Sequence, residues 1–216
     1  MVQLNKARNM NDTANDIAKR EKMVLDLKKA GIRDQRVLQA IEKIPRHFFF
    51  NNAFQQFAYD NVAMQIGEGQ CISQPWTVAY QTELLEMEKG MKILEIGLGS
   101  GYQAAILGAM GATVYSMERN KKLHDKAKVL LLSLGSKVTC VFGDGYNGLS
   151  KFAPYDRIIV TTAPEFVPES LLEQLKLGGV IVIPVGGSGE KDGRVMKKIV
   201  KNKEGDYEIK DYGVFR

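Results

Sequence analysis

Apolar residues recur along this chain at two periods, and the change from one to the other divides it. In the first third, Ile17, Val24, Leu25 and Leu27 stand at roughly helical spacing among Lys, Arg, Asp and Glu. Gly31 offers a C-cap for that helix. Asp34 offers an N-cap for a second helix, which carries Val37, Leu38, Ala40, Ile41 and Ile44 and stops at Pro45. The run Pro45-Arg46-His47-Phe48-Phe49-Phe50 predicts a packed aromatic cluster. Residues 66–75, with Gly67 and Gly69 inside and Pro75 at the close, read as a loop. A helix comes next, with Val78, Leu84, Leu85 and Met87 on its apolar face and Gly90 at its end.

From Met91 onward short β-rich runs alternate with helical stretches. Strands are predicted at 92–96, 113–117, 137–142, 155–161 and 180–184. Helices are predicted after the first run to Met110, from Asn120 to Leu134, and over 168–175. This alternation predicts an α/β fold with a doubly wound, mostly parallel sheet and helices on both faces. It stops at the glycine-rich run 186–189. Beyond it, 194–200 and 207–215 read as two strands joined by a turn at 201–206, an antiparallel C-terminal hairpin finishing the sheet edge. The expected organisation is an N-terminal helical region with its loop, residues 1–75, packed on a core of residues 76–216 as one compact unit.

Composition narrows the class. At 216 residues the chain can bury a sizeable core without disulfides or a structural metal. A charged fraction of 25% with 44% hydrophobic residues excludes a disordered tail or a collagen-like chain. No apolar run approaches the roughly 20 residues that cross a bilayer. The first twenty residues are polar and lack the apolar segment of a secretory signal. Cys71 and Cys140 form neither a disulfide framework nor a zinc pattern. A reducing cytoplasm is the expected location. The net charge of +5 raises the question of a polyanionic partner, but residues 1–60 carry +4, 61–189 carry −1 and 190–216 carry +2. The basic excess therefore flanks the α/β core and reads as solvated surface.

Three features after consecutive predicted strands carry chemistry. Gly97-Leu98-Gly99-Ser100-Gly101 lies between a strand and a helix, where glycines let backbone approach a ligand at a helix N-terminus. Its spacing is GxGxG, unlike the GxGxxG of dinucleotide binders, which argues against a nicotinamide-dependent oxidoreductase. Glu95, just before these glycines, can meet an ammonium group. Glu118, ending the next strand, can accept from both hydroxyls of a ribose. Asp144, in Gly143-Asp144-Gly145 after the third strand, can accept from an adenine amino group. Each has a bland reading as a turn or surface residue. Together they occupy the strand ends where such sheets bind ligands.

With these residues the sequence resembles the S-adenosylmethionine-dependent methyltransferases with a Rossmann-like sheet. Within them it closely resembles the protein-L-isoaspartate O-methyltransferase family, from about residue 25 to residue 213. The specific segments are Ile44-Pro45-Arg46-His47-Phe48-Phe49 and Ile72-Ser73-Gln74-Pro75. Thr82-Glu83-Leu84-Leu85, the glycine turn with Tyr102-Gln103-Ala104-Ala105, and Ile183-Pro184-Val185-Gly186-Gly187 extend the likeness. The resemblance implies methyl transfer from S-adenosylmethionine, leaving S-adenosylhomocysteine, to the free carboxylate of L-isoaspartyl residues. The ester then re-forms a succinimide, which starts repair of the damaged protein. It implies Ser73 as the active-site hydroxyl that orients the incoming carboxylate. It also implies Ile72, Gln74, Pro75, Glu95, Gly97, Gly99, Glu118, Asp144 and Gly145 around the cofactor, with Thr161 and Thr162 facing the same crevice and no metal.

The expected partners are isoaspartyl-containing peptides and proteins, with no nucleic acid, no membrane and a monomeric enzyme. Another S-adenosylmethionine-dependent methyltransferase, acting on RNA or a small molecule, is the alternative. A binding module without activity is opposed by the intact Ser73 loop. Other residues read as structural: His47 packed among phenylalanines, His124 solvated on a charged helix, Cys71 and Cys140 small apolar fillers. Trp76 departs from the commoner Tyr or His of the family and could alter the rim. The family usually continues past the last strand with a segment reaching back to the cofactor; here the sequence ends at Arg216, which bears on cofactor affinity.

Overall fold

The computed structural model describes residues 10–186, 193–202 and 206–215. The chain opens with α1 (Ala14–Lys29) and α2 (Gln35–Lys43). Thr13 and Asp16 cap α1 reciprocally, each side chain accepting the other's backbone N–H. Asp34 caps α2 by accepting from Arg36 N at 2.8 Å. After two short 3₁₀ turns come β1 (Met64–Gly67) and β2 (Gln70–Ile72), then α3 (Pro75–Leu84). The α/β part begins with β3 (Lys92–Ile96), α4 (Tyr102–Ala109), β4 (Thr113–Glu118), α5 (Lys121–Ser133) and β5 (Thr139–Phe142). It continues with β6 (Tyr155–Val160), α6 (Glu169–Glu173), β7 (Leu175–Val185), β8 (Arg194–Lys201) and β9 (Tyr207–Phe215).

The seven-stranded sheet has the order β5-β4-β3-β6-β7-β8-β9. Pairings from β5 through β7 are parallel; β7–β8 and β8–β9 are antiparallel. The fold is thus the mostly parallel doubly wound sheet with an antiparallel end that the alternation predicts. From β3 the chain winds outward to β5, then returns across the sheet to β6 on the other side of β3. That reversal opens a crevice at the carboxyl ends of β3 and β6, where open α/β sheets bind ligands.

Alternation along the central strands feeds two cores. Ile93, Ile159, Val180 and Val182 join one apolar cluster with the N-terminal helices, α4 and α5. Leu94, Ile158, Val160, Ile181 and Ile183 join a second with Tyr155 and Leu171. The aromatic run behaves as expected: Phe48, Phe49 and Phe50 are buried in the first cluster.

Several boundaries differ from the sequence expectations. Residues 66–75 are not a plain loop. They hold most of the antiparallel β1–β2 hairpin, turning at Glu68 and Gly69, with φ of 53° and 68°. Positive φ at both turn residues suits a tight hairpin, and the polarity of the segment hides its strands. The helix expected to reach Gly90 ends at Leu84, where Leu85 closes it through Gln81 O. The strand expected at 180–184 begins already at Leu175. The run 187–192 and the turn residues 203–205 lie outside the described residues.

Candidate active site

A cavity of about 660 Å³ opens in the crevice. One side is the turn after β3. Gly97 has φ of 101°, and a Cβ there would stand 2.5 Å from Thr161 Oγ1. Only glycine fits both constraints. The turn is fixed by its amides: Gly97 N and Leu98 N both donate to Met117 O, at 3.0 and 2.9 Å. Thr161 Oγ1 donates to Gly97 O at 2.7 Å. At the foot of the cavity a Cβ on Gly145 would meet Ile96 Cγ2 at 2.5 Å, so backbone again replaces side chain.

Two carboxylates on neighbouring strands have opposite fates. Glu118 lines the cavity and is 8% exposed. Its Oε2 accepts from Gly99 N and its Oε1 from Asn120 N, both at 2.9 Å. Each oxygen keeps a lone pair for a ligand. Glu95 points the other way, into the face shared by β3 and β4. It is fully buried, does not line the cavity, and accepts from Ser116 Oγ. Burial pushes its carboxyl up to about 8. The expectation that Glu95 meets an ammonium group directly is therefore corrected: the strand's twofold alternation sends Glu95 into the core and Ile96 to the cavity. Asp144 lines the cavity, and its side chain also accepts from Tyr146 N at 3.0 Å.

The opposite side comes from the β1–β2 hairpin and the residue that leaves it. Ile72, Ser73 and Cys71 line the cavity. Gln74 and Pro75, expected beside the cofactor, do not. Gln74 occupies the N-cap position of α3 and Pro75 its first turn, so both are spent on starting the helix. Arg46, fully buried, holds this side from behind, donating to Ser73 O at 2.7 Å and Ala58 O at 2.8 Å. Burial lowers its guanidinium to about 10. The hairpin tip meets α5: Glu68 accepts from Lys122 Nζ at 3.2 Å.

Some lining residues escape the sequence reading. Gln103 donates to Thr82 Oγ1 at 2.8 Å, while its Oε1 is buried without a partner beside the cavity. Tyr146 stands at the Asp144 end and meets Phe166 edge-on. Position two residues past the glycine turn is the available signal for Gln103. Thr161 and Thr162 do line the cavity. Other readings need correction. His124 is buried, not solvated, with its ring against Phe142 and Nδ1 2.9 Å from Asp125. Cys71 is exposed, not a filler, and Cys140 is only half-buried. His47 is packed as expected, 2.7 Å from Tyr59 Oη. Trp76 does not line the cavity; it stacks on Tyr80 and Phe215, with ring centroids 4.7 and 5.7 Å away.

The glycine-walled cleft, a carboxylate at the second strand end and Asp144 at the third suit an adenosyl group with a methionine tail. Backbone lies where side chains would block it, and Gln103 offers an unfilled buried acceptor. Fold and site define an S-adenosylmethionine-dependent methyltransferase. The family model described as Protein-L-isoaspartate(D-aspartate) O-methyltransferase matches residues 18–215. A protein-L-isoaspartate O-methyltransferase of Flavobacterium psychrophilum is 47% identical over 208 residues, 96% of each chain. That of Dictyoglomus thermophilum is 48% identical over 197 residues, 91% of this chain and 88% of its own. A solved protein-L-isoaspartate O-methyltransferase superposes with a TM-score of 0.78 at 32% identity, covering 91% of this chain and 65% of that one. The chain belongs to the protein-L-isoaspartate (D-aspartate) O-methyltransferase family. It is a carboxyl methyltransferase that acts on isoaspartyl groups and uses S-adenosylmethionine.

Proposed function

We propose that Ser73 receives the isoaspartyl carboxylate, and that Gly97, Gly99, Glu118, Asp144 and Gly145 hold the cofactor. One observation carries this reading: a single cavity is lined by Ser73 on its hairpin side and by Glu118 and Asp144 on its sheet side. Bound S-adenosylmethionine supplies an electrophilic methyl group. A side-chain-like carboxylate is already ionised near neutral pH, so no general base is required of the chain. No histidine stands among the lining residues. The work left to the protein is alignment. Ser73 Oγ donates to one carboxylate oxygen and leaves the other aimed into the cleft. Glu118 binds the ribose through the lone pairs its backbone partners leave free. Asp144 and the backbone at Gly145 take the adenine end. Glu95 acts from the core, by fixing β3 against β4 through Ser116. Gln74 and Pro75 act by starting α3 where the Ser73 segment ends.

The division of labour we propose runs with the chain: residues 1–75 carry the substrate side and 76–216 the cofactor side, packed as one unit. Both contribute to the same apolar cluster, which supports this. We propose further a monomer that works in the cytoplasm on proteins and peptides, apart from nucleic acid. The near-neutral charge of residues 61–189 supports the last point, because phosphate contacts need clustered Lys and Arg. Among the described residues no helix is long and apolar enough to cross a membrane.

The test uses cofactor carrying a labelled methyl group. An isoaspartyl peptide becomes labelled and its normal aspartyl twin does not. Ser73→Ala lowers turnover roughly 10- to 100-fold while S-adenosylhomocysteine affinity stays within about threefold, as loss of one orienting hydrogen bond requires. Parallel losses in turnover and cofactor affinity would make Ser73 a cofactor contact and end this assignment.

A further inference from the structure

We propose that Arg46 is a positioning residue for methyl transfer, holding the main chain of Ser73 so that its hydroxyl faces the carboxylate. The inference rests on the role assigned to Ser73 above. Arg46 is the largest fully buried side chain among the described residues. Core packing alone does not explain it. A buried guanidinium is costly unless it is well partnered, and no ion pair among the described residues includes it. Its Nη1 meets no acceptor in regular hydrogen-bond geometry, and the Tyr102 hydroxyl is the side-chain partner that bears on the guanidinium. A Met or Leu would fill the same space without that cost.

The guanidinium does have a set of fixed attachments. Nε donates to Ala58 O at 2.8 Å, and Nη2 to Ser73 O at 2.7 Å. Its carbon lies 4.7 Å from the Tyr102 ring centroid and 5.4 Å from that of Phe50. Ser73 and Tyr102 both line the cavity. Tyr102 is the first residue of α4, the helix that opens at the glycine turn. One rigid group therefore links the substrate segment to the cofactor helix. Ser73 itself sits between the end of β2 at Ile72 and the N-cap of α3 at Gln74, so neither element's regular pattern fixes it. Rotation of the Ser73 peptide would swing its Oγ away from the cleft. The planar fork of Arg binds two carbonyls at set angles, which the single ammonium of Lys cannot reproduce.

The experiment is a double-mutant cycle in the full-length enzyme. Arg46→Lys, Ser73→Ala and the pair are compared by kcat and KM on an isoaspartyl peptide, S-adenosylhomocysteine affinity by calorimetry, and near-UV circular dichroism. Arg46→Gln serves as the second variant at position 46. Arg46→Lys is expected to keep the native spectrum and bind S-adenosylhomocysteine within about threefold of the parent, while kcat falls roughly tenfold or more. In the Ser73→Ala background the same change is expected to lower kcat by no more than about twofold, because the group it positions is gone. An unchanged kcat in Arg46→Lys overturns the proposal, as does an equal factor in both backgrounds. A fall in cofactor affinity matching the fall in kcat also overturns it, and so does loss of fold in both position-46 variants. If Ser73→Ala alone keeps parental turnover, the Ser73 assignment has failed, and this is visible before Arg46 is touched.

Discussion

The two sides of the cavity are built on different principles. The sheet side is made of backbone. Its turn after β3 excludes a Cβ atom at Gly97, its amides are tied to Met117 O, and the carboxylate of Glu118 is braced by two N–H groups. The hairpin side is made of side chains held at a distance. Ser73 is fixed through Arg46, which lies 27 residues earlier, and the hairpin tip rests on α5 through Glu68 and Lys122. A cofactor that never varies suits a rigid backbone mould. A substrate presented by many different damaged proteins suits a side that is anchored at a few points and open between them.

The contrast predicts a ladder of mutational effects. Gly97→Ala should do most harm, because φ of 101° and a 2.5 Å approach to Thr161 Oγ1 both oppose a methyl group. We expect a loss of about 2–4 kcal/mol in stability with cofactor affinity reduced at least about 100-fold. Calorimetric titration with S-adenosylhomocysteine and a thermal melt measure both. Near-parental binding would mean the sheet side is as compliant as the hairpin side, and the contrast would collapse. Glu118→Gln comes next. Its amide cannot accept from both Gly99 N and Asn120 N, so affinity should drop by about 2 kcal/mol, with KM for the peptide little changed.

Glu95→Gln sharpens the distinction between bracing and binding. Burial raises the folded pKa of Glu95 to about 8 from its ordinary 4.5. The folded state then holds a proton that the unfolded state releases. The stability this gives is full below pH 4.5 and is lost as pH rises through 8. The neutral Gln variant should lack that decline and exceed the parent at about pH 8–9 by about 1–3 kcal/mol. Denaturant midpoints between about pH 5 and 9 on the cofactor-free protein read this out, and parallel curves for the two proteins contradict it. Lys122→Ala lies at the bottom of the ladder. The Lys122 side chain is exposed, and water screens its pair with Glu68. No measurable change in melting is expected, with peptide KM the property to watch.

Elements of strong period are readable from sequence. β3 and β9 begin and end where alternation places them, and the caps Asp34 and Asn120 start their helices as side-chain chemistry dictates. That Glu118, Asp144, Gly97 and Gly99 line the cavity is legible because strand ends and glycine turns carry local signatures. Glu95 is not. One residue of register separates core from cleft, and spacing to the glycines cannot tell which face a side chain takes. His124 misleads because its charged neighbours lie on the helix surface while its own position faces Phe142 at the end of β5. Arg46's attachment to Ser73 is invisible for a plainer reason: it joins residues that only the tertiary fold brings together.

The strand β9 closes one edge of the sheet: it pairs with β8 on one side, and the row of outward-facing backbone groups along its nine residues has no partner strand among the described residues. Such rows recruit other chains and seed aggregates unless something repels them. Here Glu208, Lys210 and Asp211 stand exposed along it, with Lys197 paired to Asp211 from the neighbouring strand at 2.7 Å. A second chain docking edge to edge would have to strip water from charges of both signs. For an enzyme that acts on isoaspartyl groups of other chains, those charges stand between its open edge, where Ile209 and Val214 are also exposed, and strand addition by the proteins it meets.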